Sequence, residues 1–158
     1  MTEADPRPRS HSTRSKARKR ALDILFESEL RGTDPLETLA VRTDRADPPV
    51  RAYTALLVEG VTRHRTEIDR RISTCMSTGW SIERMPRVDR AAARIGVFEI
   101  DFGEVPDPVA VAEAVALVSE LSTDESPAYL NGLLGAVLTS KLPAAEAEPV
   151  EDPPAQSD

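Results

Sequence analysis

Five bases crowd into seven residues: Arg14, Lys16, Arg18, Lys19 and Arg20. Like charges this close repel one another, and they fall where a helix is expected to begin, the end whose dipole disfavours cations. A bound phosphate chain would offset both costs and release counterions. The chemistry implied is ionic recognition of a polyanion, with nucleic acid as the expected ligand. The plain alternative is an arm that only solubilises the chain. The net charge is −7, yet the first 20 residues hold seven Arg/Lys against two acids, and residues 144–158 hold five acids and no base. An acidic body would repel a long duplex, so the attraction is local. A short single strand on one patch fits better, and it wants an aromatic plane for stacking. Tyr129 is one candidate, with a core tyrosine as the other reading.

Other chemistries find no purchase. One cysteine excludes a disulfide framework and any paired-cysteine zinc or redox site. Two histidines, His11 and His64, cannot build a multi-histidine metal centre. His64 lies between Arg63 and Arg65 and reads as a core-edge or surface residue; Cys75, on an apolar helical face, reads as a buried structural thiol. There is no phosphate-cradling glycine loop and no GxSxG. Asp23, Glu27 and Glu29 sit on a helix with bases nearby, where solvated pairing accounts for them. No catalytic residue, metal or cofactor is expected. The longest uncharged run, Ser126 to Ser140, has 15 residues, short of the roughly 20 that a membrane helix needs. Asp23 and Glu27 break the apolar stretch behind the basic run, so no secretory signal is expected. The expected setting is the cytoplasm.

The elements that position these residues read as helices separated by caps. Residues 1–12 are expected to be a disordered basic arm and 143–158 a disordered acidic tail, around an all-α domain over 13–142. The first helix runs from about Thr13 to Arg31 and stops at Gly32. Asp34, Pro35 and Glu37 open a second in a capping-box-like start. Asp47-Pro48-Pro49 opens a third, with Tyr53, Leu57, Val61 and His64 on one face. Thr66 caps a fourth, which carries Ile68, Ile72, Cys75 and Met76 to Gly79. The fifth follows Pro86 and is apolar on more than one side, with Ala92, Val97 and Ile100 beyond its main stripe. A dimer covering that second side is one expectation. Asp107-Pro108 starts the sixth and Ser126-Pro127 the seventh. The valine-rich stretch 105–118 has β-branched residues that favour strands, but its alanines, Glu113 and the Asp-Pro start assign it to a helix.

Several stretches, taken in order, resemble the NusB family of transcription antitermination factors. Arg18-Lys19-Arg20-Ala21-Leu22-Asp23-Ile24-Leu25-Phe26 resembles its opening helix. Glu59-Gly60-Val61, then Ile68-Asp69, then Trp80, resemble its middle. Val88-Asp89-Arg90-Ala91 through Arg94-Ile95 and Glu99-Ile100 resemble its most recognisable block. Glu113-Ala114-Val115 and Tyr129-Leu130-Asn131-Gly132-Leu133-Leu134 resemble its last two helices. The likeness covers about Arg14 to Leu142.

The resemblance implies an all-α fold of about seven helices in two packed subdomains. It implies binding of single-stranded boxA RNA together with NusE, a small-subunit ribosomal protein. The resulting complex helps RNA polymerase resist termination, notably on ribosomal RNA operons, without catalysis. Carried over by position, Arg14, Lys16, Arg18 and the neighbouring Lys19 would meet phosphates, and Ser126 and Tyr129 would meet bases. Phe26, Glu83 and Asp89 would face NusE, where carboxylates suit a basic partner. Arg94, Glu99 and Asn131 either join that surface or tie helices together. Phe26 stands where the family often has tyrosine, and Pro127-Ala128 where polar or basic residues are usual. The same fold also heads some RNA methyltransferases, but the cofactor loop of such an enzyme is missing from this sequence. A protein–protein scaffold or dimerisation module with a merely solubilising arm is the reading from another class.

Overall fold

The computed structural model describes residues 12–45 and 48–141. The expected arm, apart from Ser12, and the expected tail lie outside the described residues. Within them the chain forms seven α-helices and no strand: α1 (Thr13–Arg31), α2 (Pro35–Arg45), α3 (Ala52–Arg63), α4 (Arg65–Thr74), α5 (Arg87–Phe102), α6 (Asp107–Leu121) and α7 (Ser126–Thr139). A single 3-10 turn, Ile82–Arg84, precedes α5.

Local signals set most of the boundaries. The Ser12 hydroxyl accepts the Ser15 N–H at 3.1 Å and caps α1. Gly32 ends that helix with φ 69°, a left-handed backbone open to glycine at little cost, and Thr33 N–H closes the turn on the Ser28 carbonyl at 2.9 Å. Asp34 accepts the Leu36 N–H at 2.9 Å, and Pro35 begins α2. The valine-rich stretch is helical in α6, because alanines and tertiary burial outweigh β propensity.

Three boundaries differ from expectation. α3 starts at Ala52 rather than at the Asp-Pro-Pro run, since a residue preceding proline is pushed out of the helical region; Asp47 itself lies outside the described residues. α4 stops at Thr74, so Cys75 and Met76 fall beyond its end, and Gly79 turns the chain at φ 91°. α4 begins at Arg65 after His64, so Thr66 lies inside its first turn instead of capping it; Asp107 begins α6 as expected, and its carboxylate takes the Lys141 ammonium at 3.1 Å.

α5 is the axis of the fold. Every residue from Asp89 to Ile100 is buried. α1 and α3 pack on one side of it, while α4, α6 and α7 pack on the others. With α2 against α1 and α3, this gives two helical units that share α5 as a common wall. The second apolar side of α5 is therefore covered within the chain, and no dimer is needed for it. Approach is close: a Cβ on Gly60 of α3 would lie 2.3 Å from the Phe98 ring. His64, half-buried at the α3–α4 junction, stacks on Phe102 with centroids 3.9 Å apart. Cys75 is only partly buried, with Sγ 3.8 Å from the Ser140 hydroxyl.

Buried charges join the units. Arg90 donates to Glu29 of α1 at 2.9 Å and to the carbonyls of Ile82, Glu83 and Met85. Arg94 forks onto Asp69 of α4 at 2.8 and 3.1 Å. Such two-pronged pairs fix orientation as well as distance.

Candidate nucleic-acid interface

The first turns of α1 carry the basic run onto two different faces. Arg14 and Lys16 are exposed. The Arg14 guanidinium lies over the Tyr53 ring of α3, 4.3 Å from its centroid, a cation–π contact between the two helices. Lys19 is half-exposed and pairs with Glu120 of α6 at 2.7 Å.

Arg18 points the other way. It is 2% exposed, and its Nε donates to both Glu99 carboxylate oxygens at 3.0 Å. Its Nη1 lies 3.4 Å from Glu113. Tyr53 donates its hydroxyl to Glu99 Oε2, which also accepts from Arg18. Burial opposes the Arg18 charge, but the Glu99 hydrogen bond and the Glu99 and Glu113 carboxylates outweigh it, so its pKa rises. The Tyr53 phenol is pushed up to about 12 by burial first, then by the Glu99 bond and charge. Arg18, expected to meet a phosphate, is here buried with its guanidinium on Glu99 and Glu113. Glu99 is likewise a tie between helices.

The start of α7 divides in the same way. Ser126 is 2% exposed and Asp89 3%. Asp89, in the first turn of α5, accepts the Ser122 hydroxyl at 2.6 Å and the Ser126 hydroxyl at 2.9 Å. This knot fixes the α6–α7 turn on the end of α5. Ser126, expected at a base, and Asp89, expected to face NusE, are both buried here in one hydrogen-bonded knot. Tyr129, one turn further on, is 38% exposed. It edges a depression of about 290 Å³ lined by Cys75, Met76, Ser77 and Gly132. Burial, then the nearby Asp89 charge, raises its pKa.

Phe26 is half-buried on α1, and Glu83 is exposed on the 3-10 turn whose carbonyls Arg90 holds. Asn131 is exposed on α7. Tyr53 was missed by reading the sequence: it is 39 positions from Arg14, and only the packing of α3 on α1 brings them together. No group of His, Cys, Asp and Glu that could hold a metal occurs among the described residues.

Fold and site define an all-helical protein with exposed cations and an aromatic at one helix end, and with its buried ions bracing helices. The NusB family model matches residues 15–139. The chain is 51% identical over 142 residues to the transcription antitermination protein NusB of Acidothermus cellulolyticus, covering 89% of this chain and 97% of that one. It is 52% identical to the protein of the same name from Cutibacterium acnes, over 89% of this chain but only 54% of that longer relative. The chain belongs to the NusB family. Among solved structures, antitermination factors NusB and NusE in complex with double-stranded RNA match with a TM-score of 0.71 and 27% identity, over 81% of this chain and 97% of that one. T. maritima NusB matches in fold, with a TM-score of 0.75 and 23% identity over 86% and 97%.

Proposed function

We propose that this protein is an antitermination factor. It binds a boxA-type single-stranded RNA jointly with the ribosomal protein NusE, and so helps RNA polymerase resist termination, notably on ribosomal RNA operons. The observation that carries this reading is membership of the NusB family along nearly the whole described chain. The geometry suits it. Arg14 and Lys16 offer cations to phosphates, and the Tyr53 ring fixes the reach of Arg14. Lys19 joins them by exchanging Glu120 for phosphate, a small loss because exposed pairs are worth little. The exposed edge of Tyr129 offers a stacking face. Phe26 and the rigidly held Glu83 supply an apolar and an acidic contact for a basic ribosomal protein. The protein acts as an adaptor and not as an enzyme, in the cytoplasm, where transcription takes place. No helix among the described residues is long and apolar enough to cross a membrane.

The test is binding to a boxA-like RNA oligonucleotide with and without NusE across a salt series. Affinity should depend on sequence, rise with the partner, and fall with salt at a log–log slope of roughly −2 to −4 for three to five phosphate contacts. Salt-sensitive binding that ignores sequence and partner would reduce the reading to a basic arm on a helical domain. No binding with NusE present would overturn it in favour of a scaffold.

A further inference from the structure

Arg20, the last member of the basic run, has no carboxylate partner among the described residues, and its Nη2 donates to the Pro48 carbonyl only at 3.5 Å. Its Nε is the one buried side-chain nitrogen or oxygen among the described residues that lacks a hydrogen-bond partner. Such an orphan is uncommon and calls for a physical reason. Arg18, two positions earlier, shows the contrast, because Glu99 and Glu113 meet both its charge and its donors. Arg20 is therefore weakly held where it lies. A partner that took Nε and Nη2 together would supply what the fold does not. A phosphate does this, setting two oxygens against two parallel N–H groups.

The surroundings favour an anion at this end of α1. Arg20 lines a cleft of about 660 Å³ between α1 and α2, together with Arg45 and Pro48. Arg45, in the last turn of α2, is exposed and also has no carboxylate partner among the described residues. The α2 dipole accounts for a cation at that helix end, but not for the orphaned nitrogen of Arg20. Lys16 stands one turn before Arg20 on the same face of α1, about 6 Å along the axis. It is exposed and has no carboxylate partner among the described residues. The acids of the cleft lie further along. Glu27 is held by Arg42, with Arg31 at 3.6 Å. Asp23, exposed one turn beyond Arg20, bounds the stretch open to an anion. Glu37, in the first turn of α2, lies at the end of that helix away from Arg45.

We infer that Arg20 and Arg45 form a phosphate subsite that continues the RNA path from Lys16 into the α1–α2 cleft. The ligand is a backbone phosphodiester of single-stranded RNA. Arg20 leaves the Pro48 carbonyl and turns its fork to the phosphate, while Arg45 adds charge from α2. This branch is separate from Arg14, which lies over Tyr53 of α3. It rests on the RNA binding proposed above.

The test uses the full chain. The Arg20 Nε–H resonance should shift on adding boxA-like RNA or oligouridine at low salt, and inorganic phosphate at the same phosphate concentration should leave it in place. Arg20→Gln and Arg45→Gln should each weaken boxA-like RNA binding in the presence of NusE by roughly threefold, and reduce the magnitude of the salt slope by about 0.7. Their urea midpoints should match the parent's; Arg45, being exposed, keeps the test independent of folding if Arg20→Gln is unstable. Arg20→Lys keeps the charge but not the fork, so it should keep the parental slope and still bind more weakly. Parental slopes and affinities in both glutamine variants overturn the proposal. So does an Arg20 resonance that follows inorganic phosphate as strongly as RNA, since a free anion then fills the site. If boxA-like RNA binds with NusE while Arg20 stays silent, the subsite fails and the function stands. If sequence dependence is absent yet oligouridine shifts Arg20, the function fails and the subsite stands.

Discussion

Arg18 and Glu99 face each other inside the protein, Nε to both carboxylate oxygens at 3.0 Å, with side chains only 3% and 1% exposed. The pair joins α1 to the middle of α5, and Tyr53 closes it from α3. Two helices of one unit and the shared α5 thus meet at one desolvated charge pair. Breaking one partner strands the other, which commonly costs about 3–5 kcal/mol. Arg18→Met should therefore lower the unfolding free energy by about that much in urea titration. The double change Arg18→Met/Glu99→Leu should recover much of the loss. Equal stability of the single and double variants would show that the pair is not coupled.

Tyr53 gives the pair a pH signature. Its folded pKa, about 12, lies above the ordinary value of 10.0. The folded state therefore holds the phenolic proton more tightly than the unfolded chain. This contribution is complete below pH 10 and is lost as pH climbs towards 12. Unfolding free energy measured across that window should fall less steeply in Tyr53→Phe. Identical slopes would contradict the placement of the hydroxyl on Glu99.

Ser126 and Arg14 should separate stability from binding. Ser126→Ala removes a hydroxyl bond to buried Asp89, and a melting experiment should show a loss of about 1 kcal/mol. Its RNA affinity should stay near that of the parent. An affinity loss much larger than the stability loss would return Ser126 to the RNA surface.

Arg14→Ala and Lys16→Ala should leave unfolding nearly unchanged, because both side chains are exposed. Each should weaken RNA binding and reduce the magnitude of the salt slope by about 0.7, the increment for one phosphate on a single strand. Slopes equal to the parent's would remove these residues from the phosphate path.

Gly60→Ala tests a close approach between α3 and α5. The added methyl would meet the Phe98 ring at 2.3 Å, which the α3–α5 spacing cannot absorb without movement. A destabilisation of about 1–3 kcal/mol is expected by denaturant titration. Adding Phe98→Leu should relieve part of it.

The helix pattern was legible in the order of residues, because caps and periodicity act within a few positions. Thr13–Arg31 ends at Gly32 since that position turns left-handed, and Pro35 and Ser126 begin their helices as the sequence suggested. The exposed cations Arg14 and Lys16 were legible for the same reason. What the sequence could not show was which polar side of a helix faces inward. Arg18 shares its run with Arg14 and Lys19 and has the same chemistry. Only the arrival of Glu99 from 81 residues away makes its burial tolerable. Asp89 and Ser126 look like surface polar residues until the α6–α7 turn folds back and each satisfies the other. Composition and local spacing by themselves determined an all-helical domain with a basic leading helix. The tertiary structure decided which charges are braces and which stay available, because a buried charge is stable only where a distant partner is brought to meet it.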